Sequence, residues 1–119
     1  MATIKAHKYR DSERPYTFTQ LTAPGVTSDV LDMSGCKDVV FQYTIAAINT
    51  NVVVRLEGSN DNSSWFNLDF DDTDITQTAD GTYGIQYEGR VGFTRFRFVS
   101  ETGGTDATVD VIAYIGRAP

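Results

Sequence analysis

Little in this chain of 119 residues can act as a covalent or metal-bound brace. It has one cysteine, Cys36, so no disulfide can form within the chain. It has one histidine, His7, and the two together cannot furnish a structural zinc site of Cys and His ligands. Stability has to come from packing or from partners. Long apolar runs are missing too: none nears the ~20 residues that cross a bilayer, and Met1-Ala2-Thr3-Ile4-Lys5 lacks the apolar stretch of a secretory signal. The expectation is a soluble protein made in the cytoplasm, with no membrane partner. Positive charge is scarce as well, 10 Lys and Arg against 16 Asp and Glu for a net charge of −6. Phosphate recognition needs clustered cations, so no nucleic-acid partner is expected.

What is present is a foldable composition, 40% hydrophobic and 12% aromatic against 22% charged. That suits one domain with its own core. The apolar residues recur with a period of two. Tyr16 and Phe18 alternate with Thr17 and Thr19 before the Pro24-Gly25 turn, and Val26 to Met33 is a weaker strand. Phe41, Tyr43 and Ile45 share one face, as do Val52, Val54 and Leu56, and then Phe66, Leu68 and Phe70. Tyr83, Ile85 and Tyr87 follow, then Phe96 and Phe98, then Val109, Val111, Ala113 and Ile115. The core expected from this pattern comprises Phe41, Tyr43, Ile45, Val54, Leu56, Phe66, Leu68, Phe96, Phe98, Val109 and Val111. No window has sustained helical spacing. Seven or eight short strands with turns between them predict an all-β chain, a single antiparallel β-sandwich of jelly-roll type. An immunoglobulin-like sandwich would call for a paired-cysteine and tryptophan spacing that is absent.

Charge divides the chain unevenly. Lys5, Lys8, Arg10 and Arg14 face only Asp11 and Glu13 within residues 1–14, which carry +2 while the rest carries −8. Lacking apolar periodicity, residues 1–14 read as an extended N-terminal arm and residues 15–119 as the sandwich. The arm is expected to act between subunits, its four cations seeking carboxylates while Ile4 and Tyr9 add apolar anchors.

A search for chemistry returns mostly negatives. Nucleophilic triads need a histidine beside the nucleophile, and His7 lies in the arm. Lys37 beside Cys36 would lower a thiolate pKa, although a lone cysteine at a strand entrance more often serves as a small apolar residue. Asp69, Asp71, Asp72 and Asp74 offer oxygen ligands of the kind calcium takes, but without the spacing of a known calcium loop. Asn62-Ser63-Ser64 has the glycosylation pattern and reads as a turn. The expectation is therefore no catalytic residue, no metal and no cofactor. Trp65 is out of phase with Phe66 and Leu68, so it projects from the opposite face unless a bulge turns it inward. Arg95 and Arg97 share an outward face, suited to an anion or to carboxylates on the next strand. Ile112 and Tyr114 take the outward phase of the last strand and, with Trp65, would form an exposed apolar patch. The partner-binding set is then Ile4, Lys5, Lys8, Tyr9, Arg10, Arg14, Trp65, Ile112 and Tyr114.

Two family resemblances sit on these residues. Leu56 to Leu68, with its Ser59-Asn60-Asp61-Asn62-Ser63-Ser64-Trp65 core, and Thr94-Arg95-Phe96-Arg97-Phe98-Val99 resemble the Ser-x-Asp-Gly-x-x-Trp and Arg-x-Arg pattern of discoidin-like, galactose-binding jelly rolls, with Asn62 where that family carries Gly. The closing segment Gly103-Gly104-Thr105-Asp106-Ala107-Thr108-Val109-Asp110-Val111-Ile112-Ala113-Tyr114-Ile115-Gly116 looks like that of small head-decoration and other virion proteins of tailed bacteriophages. The second resemblance implies a non-enzymatic capsid decoration or cement protein on the virion exterior. Its partner would be the major capsid protein lattice, and it would act as a homo-oligomer, with the trimer favoured. The first implies a carbohydrate-binding module on a phage tail or host surface, stacking sugars on Trp65.

Overall fold

A computed structural model of the chain describes residues 2–12, 14–68 and 74–116. The described elements are β1 (Thr3–Lys5), α1 (Ala6–Ser12), β2 (Tyr16–Thr17), β3 (Val30–Asp32), β4 (Asp38–Ala46), β5 (Asn51–Ser59), β6 (Phe66–Asn67), β7 (Ile75–Gln77), β8 (Gly81–Glu88), β9 (Phe93–Thr102) and β10 (Thr108–Ile115). They form two sheets. One runs β1-β3-β9-β5-β6, with β7 on the same side of β5 as β6, and the other runs β2-β10-β4-β8. Because β6 pairs with one end of β5 and β7 with the other, the two act as one interrupted strand. From β2 onward the chain then visits the sheets in the order of a jelly roll, two Greek keys wound together.

The period-two runs become the inner faces. Phe41, Tyr43 and Ile45 of β4, Val52, Val54 and Leu56 of β5, Phe96 and Phe98 of β9, and Val109 and Val111 of β10 are buried. Rings link across the sandwich from Phe18 to Phe41, Phe41 to Phe96, Phe96 to Tyr43 and Tyr43 to Tyr83, with centroids 5.0 to 6.3 Å apart. Such aromatic pairs add stabilisation of about 0.5–1.5 kcal/mol beyond their burial. Between Val53 and Val54 the register with β9 slips, Val53 facing Ser100 and Val54 facing Phe98, so Val99 bulges out.

Three expectations need correction. Residues 3–12 do not form an extended arm: β1 pairs in parallel with β3, and α1 packs against β10. Ala6 is fully buried and Ile4 and Tyr9 lie against the core, so apolar contacts with the chain's own sandwich order this segment. The strand foreseen over Val26–Met33 shrinks to β3, preceded by one bridge from Thr27 to Arg97. Phe66 is 47% exposed rather than buried. It pairs with Gly58 and so shares the inward phase, but it stands at the edge of the sheet, where little covers it. Leu68 does reach the core margin, over Gly58, while Phe70 lies outside the described residues.

Candidate functional site

The two outer faces of the sandwich differ in chemistry. On the six-stranded sheet, β5 and β9 place Arg55 directly opposite Arg97 and Glu57 opposite Arg95. Two facing arginines repel, so carboxylates are needed between them. Glu57, only 3% exposed, supplies one. Its Oε1 accepts from Arg95 Nε at 2.8 Å, and its Oε2 accepts from Arg55 Nη1 at 3.3 Å and lies 3.9 Å from Arg97 Nη1. Asp74 supplies the other, held in a fork by Arg55 Nε at 2.7 Å and Nη2 at 3.0 Å, with Asn67 Nδ2 donating at 3.1 Å. Hydrogen bonds from Arg55 keep the Asp74 carboxyl below the usual carboxylate range. Trp65 closes this face, its ring under the Arg95 guanidinium at 4.0 Å. The outward projection of Trp65 and the cross-strand pairing of Arg95 thus meet in one cluster.

The outer face of the four-stranded sheet is uncharged across its centre. Tyr114, Val40 and Gln86 form one row across the strands, and Thr17, Ile112, Gln42 and Gly84 the next. Val40 is 41% and Tyr114 46% exposed. In the following row Thr44 and Thr82 share a hydrogen bond of 2.9 Å and exposed Asp110 stands opposite Thr44, while Asp38 and Glu88 form the row at the other end. Ile112 and Tyr114 therefore do share an outward apolar patch, but with Val40 rather than with Trp65, which belongs to the opposite sheet.

The arm residues are placed individually. Ile4 faces Leu31 across the β1–β3 pair, and Lys5 at the end of β1 is exposed, as is Lys8 on α1. Tyr9 packs edge-on against Tyr16 at 5.0 Å, with Arg14 lying 5.6 Å from the Tyr9 ring. Arg10 pairs with Asp11 at 2.9 Å and donates to the Gly35 carbonyl, so it is engaged within the chain. Because α1 packs on β10, its residues stand beside the strand that carries Ile112 and Tyr114, while Trp65 stacks on Arg95 of β9 in the other sheet. Near Arg10, the loops entering β4 and leaving β5 and β8 enclose a groove of about 530 Å³ that includes Cys36, Lys37, Asn60 and Arg90. Burial pushes the Cys36 thiol up, opposite to the activation that Lys37 would give.

Other candidate chemistry resolves into structure. Asp61 accepts from the Ser63 and Ser64 amides at 2.9 and 2.8 Å, which makes Asn62-Ser63-Ser64 a turn with Asn62 at positive φ. Asp69, Asp71 and Asp72 lie outside the described residues, and Asp74 is bound to Arg55. Among the described residues no group of three His, Cys, Asp or Glu is placed to hold a metal, and no helix is long and apolar enough to cross a membrane. Sequence reasoning missed Glu57 as the hub of the arginines. The signal was there in the alternation Arg55-x-Glu57 against Arg95-x-Arg97, two outward pairs on strands that could neighbour each other.

Fold and surface together define a small jelly roll with one charged outer face and one that is uncharged across its centre, an architecture used by viral capsid and lectin domains alike. No family model and no curated protein sequence matches the chain. Its fold is similar to that in the crystal structure of the SPBc2 prophage-derived protein YomS, with a TM-score of 0.54 and 18% sequence identity over 83% of this chain and 89% of that one.

Proposed function

We propose that this is a non-enzymatic structural protein of a phage virion, a decoration or cement protein that binds the assembled capsid lattice and stabilises it. The observation that carries the reading is the uncharged centre of the outer face of β10, β4 and β8, where Val40 and Tyr114 are exposed and Ile112 is half-buried, on a protein of net charge −6. Contiguous uncharged surface on a strongly acidic molecule is suited to burial against another protein. Lys8 on α1, which packs on β10, and Arg14 beside Tyr9 of α1 would add charge steering toward acidic capsid surface, and Lys5 on β1 of the other sheet would extend it. The phage assignment draws support from the prophage origin of the protein with the similar fold. A lattice presents its site many times, so an oligomer would gain avidity without tighter individual contacts.

The carbohydrate-binding reading draws less support, since Arg95 occupies one face of the Trp65 ring that would stack a sugar. Co-sedimentation with capsids of the phage that encodes the chain tests the proposal. The full chain is expected to pellet with capsids, whereas Tyr114→Glu and Val40→Glu are expected to weaken binding at least tenfold, and Trp65→Ala to leave it unchanged. Failure to pellet, together with retention on immobilised galactosides that Trp65→Ala abolishes, would replace this reading with the carbohydrate one.

A further inference from the structure

Sheet edges expose unpaired backbone groups, and proteins blunt them with very short strands, prolines or lysines. Here β1, β2, β6 and β7 are two or three residues each, but β8 ends the four-stranded sheet with eight residues and contains neither proline nor lysine. Among the described residues no backbone hydrogen bond reaches its outer side. Which groups it leaves free follows from the ladder. The β4–β8 register runs from Asp38 opposite Glu88, and Gly89 N donates to Lys37 O at 2.9 Å. Opposite residues alternate between hydrogen-bonded and non-hydrogen-bonded pairs, so Tyr83, Ile85 and Tyr87 turn their backbone groups toward β4. Thr82, Gly84, Gln86 and Glu88 turn theirs outward. Gly116 N donating to Asp38 O agrees, since it turns Asp38 toward β10 and leaves Val39 to β8.

We infer that the free edge of β8 is a two-fold seam at which a second copy of this chain adds its own β8 antiparallel, joining the two four-stranded sheets into one. The occupant is read from the strand itself. Two-fold pairing requires a strand complementary to its own reverse, and the inward positions Tyr83-x-Ile85-x-Tyr87 read the same in both directions. With the axis at Ile85, Ile85 meets its copy and each Tyr83 meets the other chain's Tyr87. These three residues are only partly buried in the single chain, at the core margin, and the pairing would finish covering them. The outward-turned pairs Gly84 with Gln86 and Thr82 with Glu88 would exchange the backbone bonds. Across the seam Glu88, the one charge on the strand, falls opposite Thr82 of the other copy and not opposite its Glu88. The seam also joins the outer faces of the two four-stranded sheets, but it holds or fails independently of capsid docking.

Sedimentation equilibrium of the full chain, without capsids, reads the seam directly. A mass of twice the chain is expected at micromolar concentration. Gln86→Pro removes an outward N–H at an edge position that tolerates proline, and is expected to weaken association at least tenfold with the far-ultraviolet spectrum unchanged. In a Cys36→Ser background, Ile85→Cys is expected to cross-link under mild oxidation, because facing non-hydrogen-bonded residues lie within disulfide reach, while Gln42→Cys on the inner strand β4 is not. A monomer throughout, an oligomer indifferent to Gln86→Pro, a trimer, or no cross-link at Ile85→Cys would overturn the seam.

Discussion

Ala47 carries a backbone cost that a single substitution should expose. Its φ of 62° lies in the left-handed region, and the Asp80 carboxylate holds the turn there by accepting from Ala47 N at 3.2 Å and Ile48 N at 2.9 Å. An L-residue with a Cβ pays about 1–2 kcal/mol in this conformation, so Ala47→Gly is expected to raise unfolding stability in urea by about 0.5–1 kcal/mol after its own entropy cost. Asp80→Ala should lower it by about 1–2 kcal/mol. Glu57 is a harsher case, because it is buried among three arginines. Glu57→Ala leaves those cations without their shared carboxylate and is expected to cost about 3–5 kcal/mol. Loss of less than about 1 kcal/mol in urea melts would mean that the cluster is solvated and does not organise the sheet. At high pH the residue to watch is Tyr16. Burial, then its hydrogen bond to Asp29 at 2.8 Å, pushes its hydroxyl up to about 12. Its neutral form is thus favoured in the folded chain, so its contribution is whole below pH ~10, the unfolded value, and declines as pH rises toward 12. Thermal melts should show that decline reduced in Tyr16→Phe. Asp74 works in the opposite sense, its stabilisation present above pH ~4 and lost as the solution is acidified.

Among elements, the N-terminal segment is the sharpest test. With Ala6 buried and Ile4 and Tyr9 against the core, removing residues 1–12 exposes β3, β10 and Tyr16 together. Truncation is expected to cost at least about 3 kcal/mol, on the scale of burying one or two large side chains, and to lower the melting temperature. An unchanged melt would restore the extended arm. The long strands were legible because each has one buried face: Phe41, Tyr43 and Ile45, or Val109, Val111 and Ala113, announce β4 and β10 by alternation alone. The short elements were not. α1 has seven residues, fewer than two full helical repeats of pattern, and β1 is ordered by a parallel partner some 27 residues away in sequence, Thr3 with Val30. Phe66 shows the other limit. Its phase was readable, but its exposure depends on where the facing sheet ends, which alternation does not encode.

At the scale of the molecule, the jelly roll turns a sequence with few functional side chains into two surfaces of different character. On one face Trp65, Arg95 and Glu57 are engaged with one another, and on the other the centre around Val40, Ile112 and Tyr114 is without charge, its carboxylates Asp110, Asp38 and Glu88 lying in the flanking rows. The first was half readable, since Arg95 and Arg97 were seen as an outward pair while Glu57 and Asp74 gained meaning only from the β5 register. The second was readable in Ile112 and Tyr114, but Val40 joined them only through the β4–β10 pairing, and Trp65 was separated from them by the assignment of its strand to the other sheet. Docking through the neutral face is the central claim. Electron cryomicroscopy of capsids with and without the bound protein tests it most directly, by placing the jelly roll in the difference density. The account predicts Val40, Ile112 and Tyr114 against the capsid surface and Trp65 turned away from it. Density that seats the Trp65–Arg95 face on the lattice, or no added density at saturating protein, would contradict it.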